Sequence, residues 1–285
     1  MTGLSIKYFG VVPLLALLII VIFIPTIYAF VISLQDYRLG YPIQYVGLRN
    51  YSQLLRDPWF WRSVRLTFIF TASALALELF LGMGIAVLLS KGFPLQNLWL
   101  AILIAPFAVS PVVAVAVWKY MFTTDGLINY VLSCVGLGQV RWLSNPTYAF
   151  VAMLLINIWL NYPFSMVIFY AAIKSLPREY VEAACLDGAN SWQIFLRIIL
   201  PLITPAALVA LTFRLIIIFR TFEIPWLLTQ GGPLRGTELL SVYLYRQGFR
   251  HWDFGIAAAV SWVVLMLTLF LSCFWIREMY KKTVY

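Results

Sequence analysis

The chain has 285 residues, of which 63% are hydrophobic, 17% aromatic and only 11% charged, and its mean hydropathy is +0.91. A soluble domain carries about a quarter charged residues, so this composition argues against a water-soluble enzyme, a disordered tail, a disulfide scaffold and a nucleic-acid module. The net charge of +9 fits basic residues that flank membrane spans and meet anionic lipid. Cys134, Cys185 and Cys273 are far apart and odd in number, so they imply no disulfide framework.

Six apolar runs follow along the chain. The first, residues 8–35, is much longer than the apolar part of a signal peptide and precedes no convincing cleavage site, so it reads as a retained span. The second, 66–90, is interrupted only by Glu78, and the third and fourth lie within 92–118 and 142–173. The fifth runs from about 200 to 228 with Arg214, Arg220 and Glu223 inside it, and the sixth lies within 254–276. Each exceeds the roughly 20 residues a helix needs to cross about 30 Å of hydrocarbon. Barrel strands would alternate over about 10 residues instead. The predicted fold is therefore all-α, a polytopic membrane protein with six transmembrane helices in a single domain over 1–285. Pro13, Pro25, Pro106, Pro111, Pro163, Pro205 and Pro225 lie in or near these runs, where bundle neighbours can satisfy the backbone groups they free.

An even number of spans puts both termini on one side. That side carries eight Lys and Arg, and the opposite loops carry nine Arg, so charge counting leaves orientation open. The nine outer arginines face five acidic residues, a net of +4. Trp59, Trp61, Trp142 and Trp252 among them read as interfacial anchors or as a landing face for a soluble partner. His251 is the only histidine, which excludes a multi-histidine metal site.

Between the fourth and fifth runs lies a more polar segment, about 176–201. Pro177 suits a first helical turn, and Glu179 and Glu182 lie near that helix's positive end. Gly188 can adopt φ > 0, which lets one short helix stop and another, from about Ser191, leave at an angle. The segment reads Glu182-Ala183-Ala184, three residues, Gly188, nine residues, then Ile198-Ile199-Leu200-Pro201. This spaced pattern resembles the coupling loop of binding-protein-dependent ABC importer permeases. Val46-Gly47-Leu48-Arg49-Asn50-Tyr51, Asp187-Gly188-Ala189-Asn190 and Leu227-Leu228-Thr229-Gln230-Gly231-Gly232-Pro233 resemble segments of its carbohydrate-uptake, maltose-type branch. The compact chain departs from the maltose permease itself, which carries extra N-terminal spans and a large insertion.

The resemblance implies a permease subunit, not an enzyme, in the bacterial inner membrane with both termini cytoplasmic. It implies a second homologous permease subunit, two ATPase subunits and an extracytoplasmic solute-binding protein that delivers a sugar or glycoside. Glu182, Ala183, Ala184, Asp187 and Gly188 would couple the loop to the ATPase. No G-x-x-x-x-G-K-[ST] phosphate loop is present, so the chain cannot hydrolyse ATP by that route; the resemblance implies no cofactor in this chain, with ATP and Mg bound by the partner ATPase.

Ionisable groups within spans usually face a bundle interior or a wet cavity. Glu78, Lys119, Arg214, Arg220 and Glu223 qualify, with Lys119 near a span end where it can snorkel. Arg220 and Glu223, three apart, could pair on one helix face. Asn157 and Asn161 are four apart, with Phe164 a turn further on, and two amides with an aromatic suit either a sugar or interhelical hydrogen bonds. The resemblance implies a sugar cavity lined by Phe107, Pro111, Asn157, Leu160, Asn161, Phe164, Arg214, Ile218 and Thr221, and Arg220 joins them as a candidate. Arg214 in place of a small polar residue and Ile218 in place of an amide raise an anionic-sugar alternative, in which the two arginines clamp a carboxylate, sulfonate or phosphate. A proton-coupled carrier centred on Glu78 is the rival from another class.

Overall fold

The structure, a computed structural model, describes residues 12–283, so residues 8–11 of the first predicted run lie outside the described residues. In chain order the elements are α1 (Val12–Ser33), the strands β1 (Gln35–Asp36) and β2 (Gln44–Tyr45), α2 (Arg49–Arg56), α3 (Pro58–Ser90), α4 (Gln96–Ala108) and α5 (Pro111–Met121). They continue with α6 (Leu127–Cys134), α7 (Pro146–Lys174), α8 (Arg178–Leu186), α9 (Ser191–Phe219), α10 (Glu223–Thr229), α11 (Leu240–Tyr245) and α12 (Phe254–Thr283). Five of them, α1, α3, α7, α9 and α12, are long and apolar enough to cross a membrane, and α4 with α5 make a sixth if counted as one broken span.

Two predicted spans are not continuous helices. The third breaks between α4 and α5, whose axes differ by 95°. Pro111 opens α5, and the residue before a proline is biased away from the helical region. Ser110 accordingly sits at ψ 133, as does Val109. The fifth stops at Phe219 instead of reaching 228, and α10 starts afresh at Glu223. Pro225 is the third residue of that new helix, a first-turn position where its missing N–H is tolerated.

The described chain divides into two compact units. One comprises residues 1–62 and 243–267. Within it Asn50 donates to the carbonyls of Ser33 and Gln35, both at 2.8 Å, and the Tyr51 hydroxyl lies 2.7 Å from Ser33 Oγ. The Asn-Tyr end of the Val46–Tyr51 run thus ties α2 to the end of α1. β1 and β2 pair antiparallel, Gln35 opposite Tyr45, and Arg38 bridges Asp36 and Asp253. Asp57 caps α3 by accepting the Trp59 N–H at 2.8 Å, while its other oxygen accepts the Tyr243 hydroxyl at 2.6 Å.

The other unit comprises residues 63–242 and 268–285. Its centre is an apolar cluster that includes Phe70, Ala74, Met153, Ile156, Leu215 and Ile218. α3 presents a buried stripe of small and polar residues to it: Ser63, Thr67, Thr71, Ala74, Glu78, Gly82 and Ala86 recur every three or four positions. Small residues on such a stripe let helix backbones approach closely. Thr67 also accepts the Leu240 N–H at 2.9 Å, which pins the start of α11. Asn129 gathers the 122–142 segment, donating to three backbone carbonyls and accepting from Val140 N–H and the Trp142 indole. Trp142 is therefore packed and hydrogen-bonded, whereas Trp59, Trp61 and Trp252 stay exposed as anchors would.

Gly82 shows how tight this packing is, because a Cβ there would lie 2.8 Å from the Met166 backbone nitrogen and 2.9 Å from Ser165 Cβ. Gly82→Val is expected to destabilise the fold by about 1–3 kcal/mol through overpacking. Gly84→Ala, at a helical position with open space, is expected to keep stability or raise it by up to about 1 kcal/mol. Thermal unfolding of the purified protein in detergent distinguishes the two.

Candidate functional site

The charged residues predicted inside spans sort themselves in an unexpected way. Glu78 on α3 and Arg214 on α9 form a fork: Arg214 Nε donates to Oε2 at 2.8 Å and Nη2 to Oε1 at 3.0 Å. Their side chains are 0% and 2% exposed. Asn157 on α7 donates its Nδ2 to the same Oε1 at 2.7 Å, so three helices meet at one carboxylate. A bidentate pair with additional hydrogen bonds is the arrangement that offsets the loss of hydration of two buried charges. The predicted Arg220–Glu223 pair does not form. Helix α9 ends between them, and both side chains are exposed. Lys119 reaches the Leu227 carbonyl at 3.4 Å from the edge of the bundle.

Close to this fork lies a cavity of about 220 Å³. Phe107, Val109 and Pro111 border it from the α4–α5 break, and Asn157, Leu160 and Asn161 from α7. Ile217 and Thr221 at the end of α9, with Glu223 and Ile224 at the start of α10, complete the lining. The two interruptions of the predicted spans therefore converge on one hollow. Irregular backbone at membrane depth is tolerated where it is buried in protein or lines a wet cavity.

Six of the ten residues predicted for the substrate site border this cavity: Phe107, Pro111, Asn157, Leu160, Asn161 and Thr221. Four do not. Arg214 is turned into its ion pair, and Ile218 is 0% exposed in the apolar cluster. Phe164 is half-buried with its ring 6.2 Å from that of Phe107, and Arg220 is exposed outside the lining. Val109, Ile217 and Ile224 were not anticipated, and Glu223 was anticipated as an ionisable group of a bundle interior or wet cavity and as a partner for Arg220, but not among the ten substrate-site residues. Pro111 and Pro225 were the available signals, since each marks a helix start and hence a break just before it.

The second candidate region is the 176–201 segment. It forms the predicted helix–turn–helix: α8, then Gly188 at φ 78, then Asn190 capping α9 with a reciprocal Asn190–Gln193 capping box. Glu182, Ala183, Asp187 and Gly188 are exposed, whereas Ala184 is buried against its own chain and so is not available for close approach by a partner. Exposed apolar side chains accompany the polar ones: Leu186 is 90% exposed, with Tyr180 and Trp192 nearby in sequence. The Glu-Ala-Ala pattern did not single these three out.

Comparison with known proteins identifies the family and the fold. Residues 78–284 match the family described as the binding-protein-dependent transport system inner membrane component. The trehalose/maltose transport system permease protein of Thermococcus litoralis is 33% identical over 264 residues, covering 92% of this chain and 89% of that one. The sulfoquinovosyl glycerol transport system permease protein of Agrobacterium fabrum is 32% identical, covering 85% and 79%. A solved bacterial ABC transporter involved in import of the acidic polysaccharide alginate superposes with TM-score 0.85 at 23% identity, covering 97% of this chain and 96% of that one.

The ion pair makes a sharp energetic prediction. Glu78→Ala strands a buried guanidinium and is expected to cost about 3–5 kcal/mol, whereas Glu78→Met with Arg214→Met recovers most of that loss. A double-mutant cycle on thermal unfolding of the purified protein measures both.

Proposed function

The chain belongs to the inner-membrane permease components of binding-protein-dependent ABC importers, and from that premise we propose that it forms one half of the pathway for a sugar or glycoside. A second homologous permease supplies the other half, an extracytoplasmic solute-binding protein delivers the solute, and two ATPase subunits bind ATP and Mg and drive the cycle. The permease itself is not catalytic. The 176–201 loop and both termini lie on the cytoplasmic side, and the loop seats on an ATPase. Glu182 and Asp187 offer that subunit charge, and Leu186, Tyr180 and Trp192 offer it an apolar anchor.

The observation that carries the coupling role is Leu186, 90% exposed on a nine-residue helix too short to cross a bilayer. An apolar side chain presented that fully beside charged neighbours suits the buried centre of an interface, where such anchors contribute most of the binding energy. The cavity carries the substrate role. Amides at Asn157 and Asn161 exchange hydrogen bonds with hydroxyls, and the exposed ring of Phe107 can cover an apolar sugar face. The rival proton-coupled mechanism has little support, because Glu78 is fully buried and held in a fork by Arg214.

Vanadate-sensitive ATP hydrolysis by the complete complex in lipid, stimulated by loaded binding protein, tests this reading. Leu186→Asp and Glu182→Lys are each expected to weaken ATPase association about 30-fold, the size of a hot-spot loss of ~2 kcal/mol, and to abolish stimulation. Full stimulation in both variants, or uptake that follows a proton gradient with no associated ATPase, would overturn it.

A further inference from the structure

The polar groups around the cavity set what it can accept. Glu78 is a carboxylate held by a guanidinium fork, so its oxygens only accept, and the Asn157 amide must present Nδ2 to it. The amide end not engaged with Glu78 is therefore the oxygen. Asn161 donates one Nδ2 hydrogen to the Asn157 carbonyl at 2.8 Å, which leaves its amide oxygen as an acceptor and its second N–H as a donor. Thr221 directs its hydroxyl hydrogen to the Ile217 carbonyl at 3.3 Å, so the lone pairs of Oγ1 remain.

Glu223 adds the decisive group. It is the only charged residue among those that border the cavity, it is exposed, and no hydrogen bond or ion pair engages its carboxylate among the described residues. None of the nearby cations pairs with it. Arg214 is sequestered by Glu78, Arg220 lies outside the lining and beyond ion-pair distance, and Lys119 is turned to the Leu227 carbonyl. The hollow thus combines several acceptor oxygens and the spare amide N–H groups with one carboxylate that forms no ion pair among the described residues.

We infer that this half-cavity is selective for hydroxyl-rich glycosides that carry no negative charge, with Glu223 as the residue that rejects anionic ones. The inference rests on the reading of the cavity as a sugar pathway. A carboxylate or sulfonate entering here meets Glu223 without the arginine that a clamp needs. A neutral ring can donate its hydroxyls to every acceptor present, and an amino sugar gains an attraction in addition. The sulfoquinovosyl glycerol and alginate systems named above concern anionic solutes, so likeness of fold and family does not by itself carry this chain's charge preference.

The test uses the intact complex in lipid nanodiscs and three matched probes: methyl α-glucoside, methyl α-glucuronide and methyl α-glucosaminide. Saturation-transfer NMR reports their binding. The glucuronide is expected to bind at least about tenfold more weakly than the glucoside, a difference of ~1.4 kcal/mol, and the glucosaminide at least as well as the glucoside. Glu223→Gln is expected to bring the three within about twofold of one another, and Glu223→Asp to keep the wild-type order. Equal binding of all three by the wild type, a preference for the glucuronide, or binding of none would overturn the inference even if the variants fail to assemble. The importer reading is judged apart from this, by stimulated ATP hydrolysis of the same wild-type complex and its loss in Leu186→Asp. Hydrolysis that stays coupled while the charge ranking fails would remove only the role of Glu223.

Discussion

The Glu78–Arg214 fork is the interaction on which the rest of the larger unit depends. A guanidinium at membrane depth costs about 2.5–3.5 kcal/mol on insertion scales unless it is compensated. Here it is compensated by one carboxylate that also receives an amide from a third helix. The pair fixes the rotation of α3, because Glu78 belongs to the same stripe that carries Thr67 toward α11 and Gly82 against α7. It also fixes the orientation of Asn157, and through Asn157 it determines which polar atoms remain for the cavity. A structural ion pair and the proposed recognition surface are thus linked through a single side chain.

The second constraint is that backbone polar groups in hydrocarbon must be satisfied within the protein. Two of the apolar runs break their helices, at residues 109–110 and at 220–222. Both breaks lie beside the same hollow, where the Thr221 hydroxyl hydrogen-bonds to the Ile217 carbonyl in the last turn of α9. Irregular backbone is thus placed at the edge of a partly polar hollow, where it can be satisfied.

Helix α9 connects the two candidate regions. It begins under the Asn190–Gln193 capping box next to the coupling segment, passes through a wider turn at Phe195–Ile199, holds Arg214 in the fork, and ends at the cavity with Thr221 just beyond it. Its 29 residues correspond to a rod of roughly 43 Å at 1.5 Å per residue. Under the proposed coupling, a displacement of the loop would have a continuous helical path to the cavity wall, and the fork ties that path to α3 and α7.

Much of this was legible from the residues alone. Composition and runs of about 20 apolar residues determine a helical membrane protein, because each span must satisfy its own backbone. The Glu-Ala-Ala…Gly…Leu-Pro spacing determines the helix–turn–helix, since Gly188 occupies the left-handed position and Asn190 the cap, both local matters of backbone chemistry. The stripe of Asn157 and Asn161 follows from the helical repeat. Tertiary structure alone decided the partners of the charges. Arg214 lies 136 residues from Glu78, and no local spacing could choose Glu78 over the nearer Glu223. It also decided that Ile218 and Phe164 pack while Ile217 and Glu223 border the hollow, because a helix that stops at Phe219 turns the following residues out of its own register. Hydrophobic runs report that a segment leaves water. Which side chains then face one another depends on where helices break and cross, and that is settled only when the whole bundle has packed.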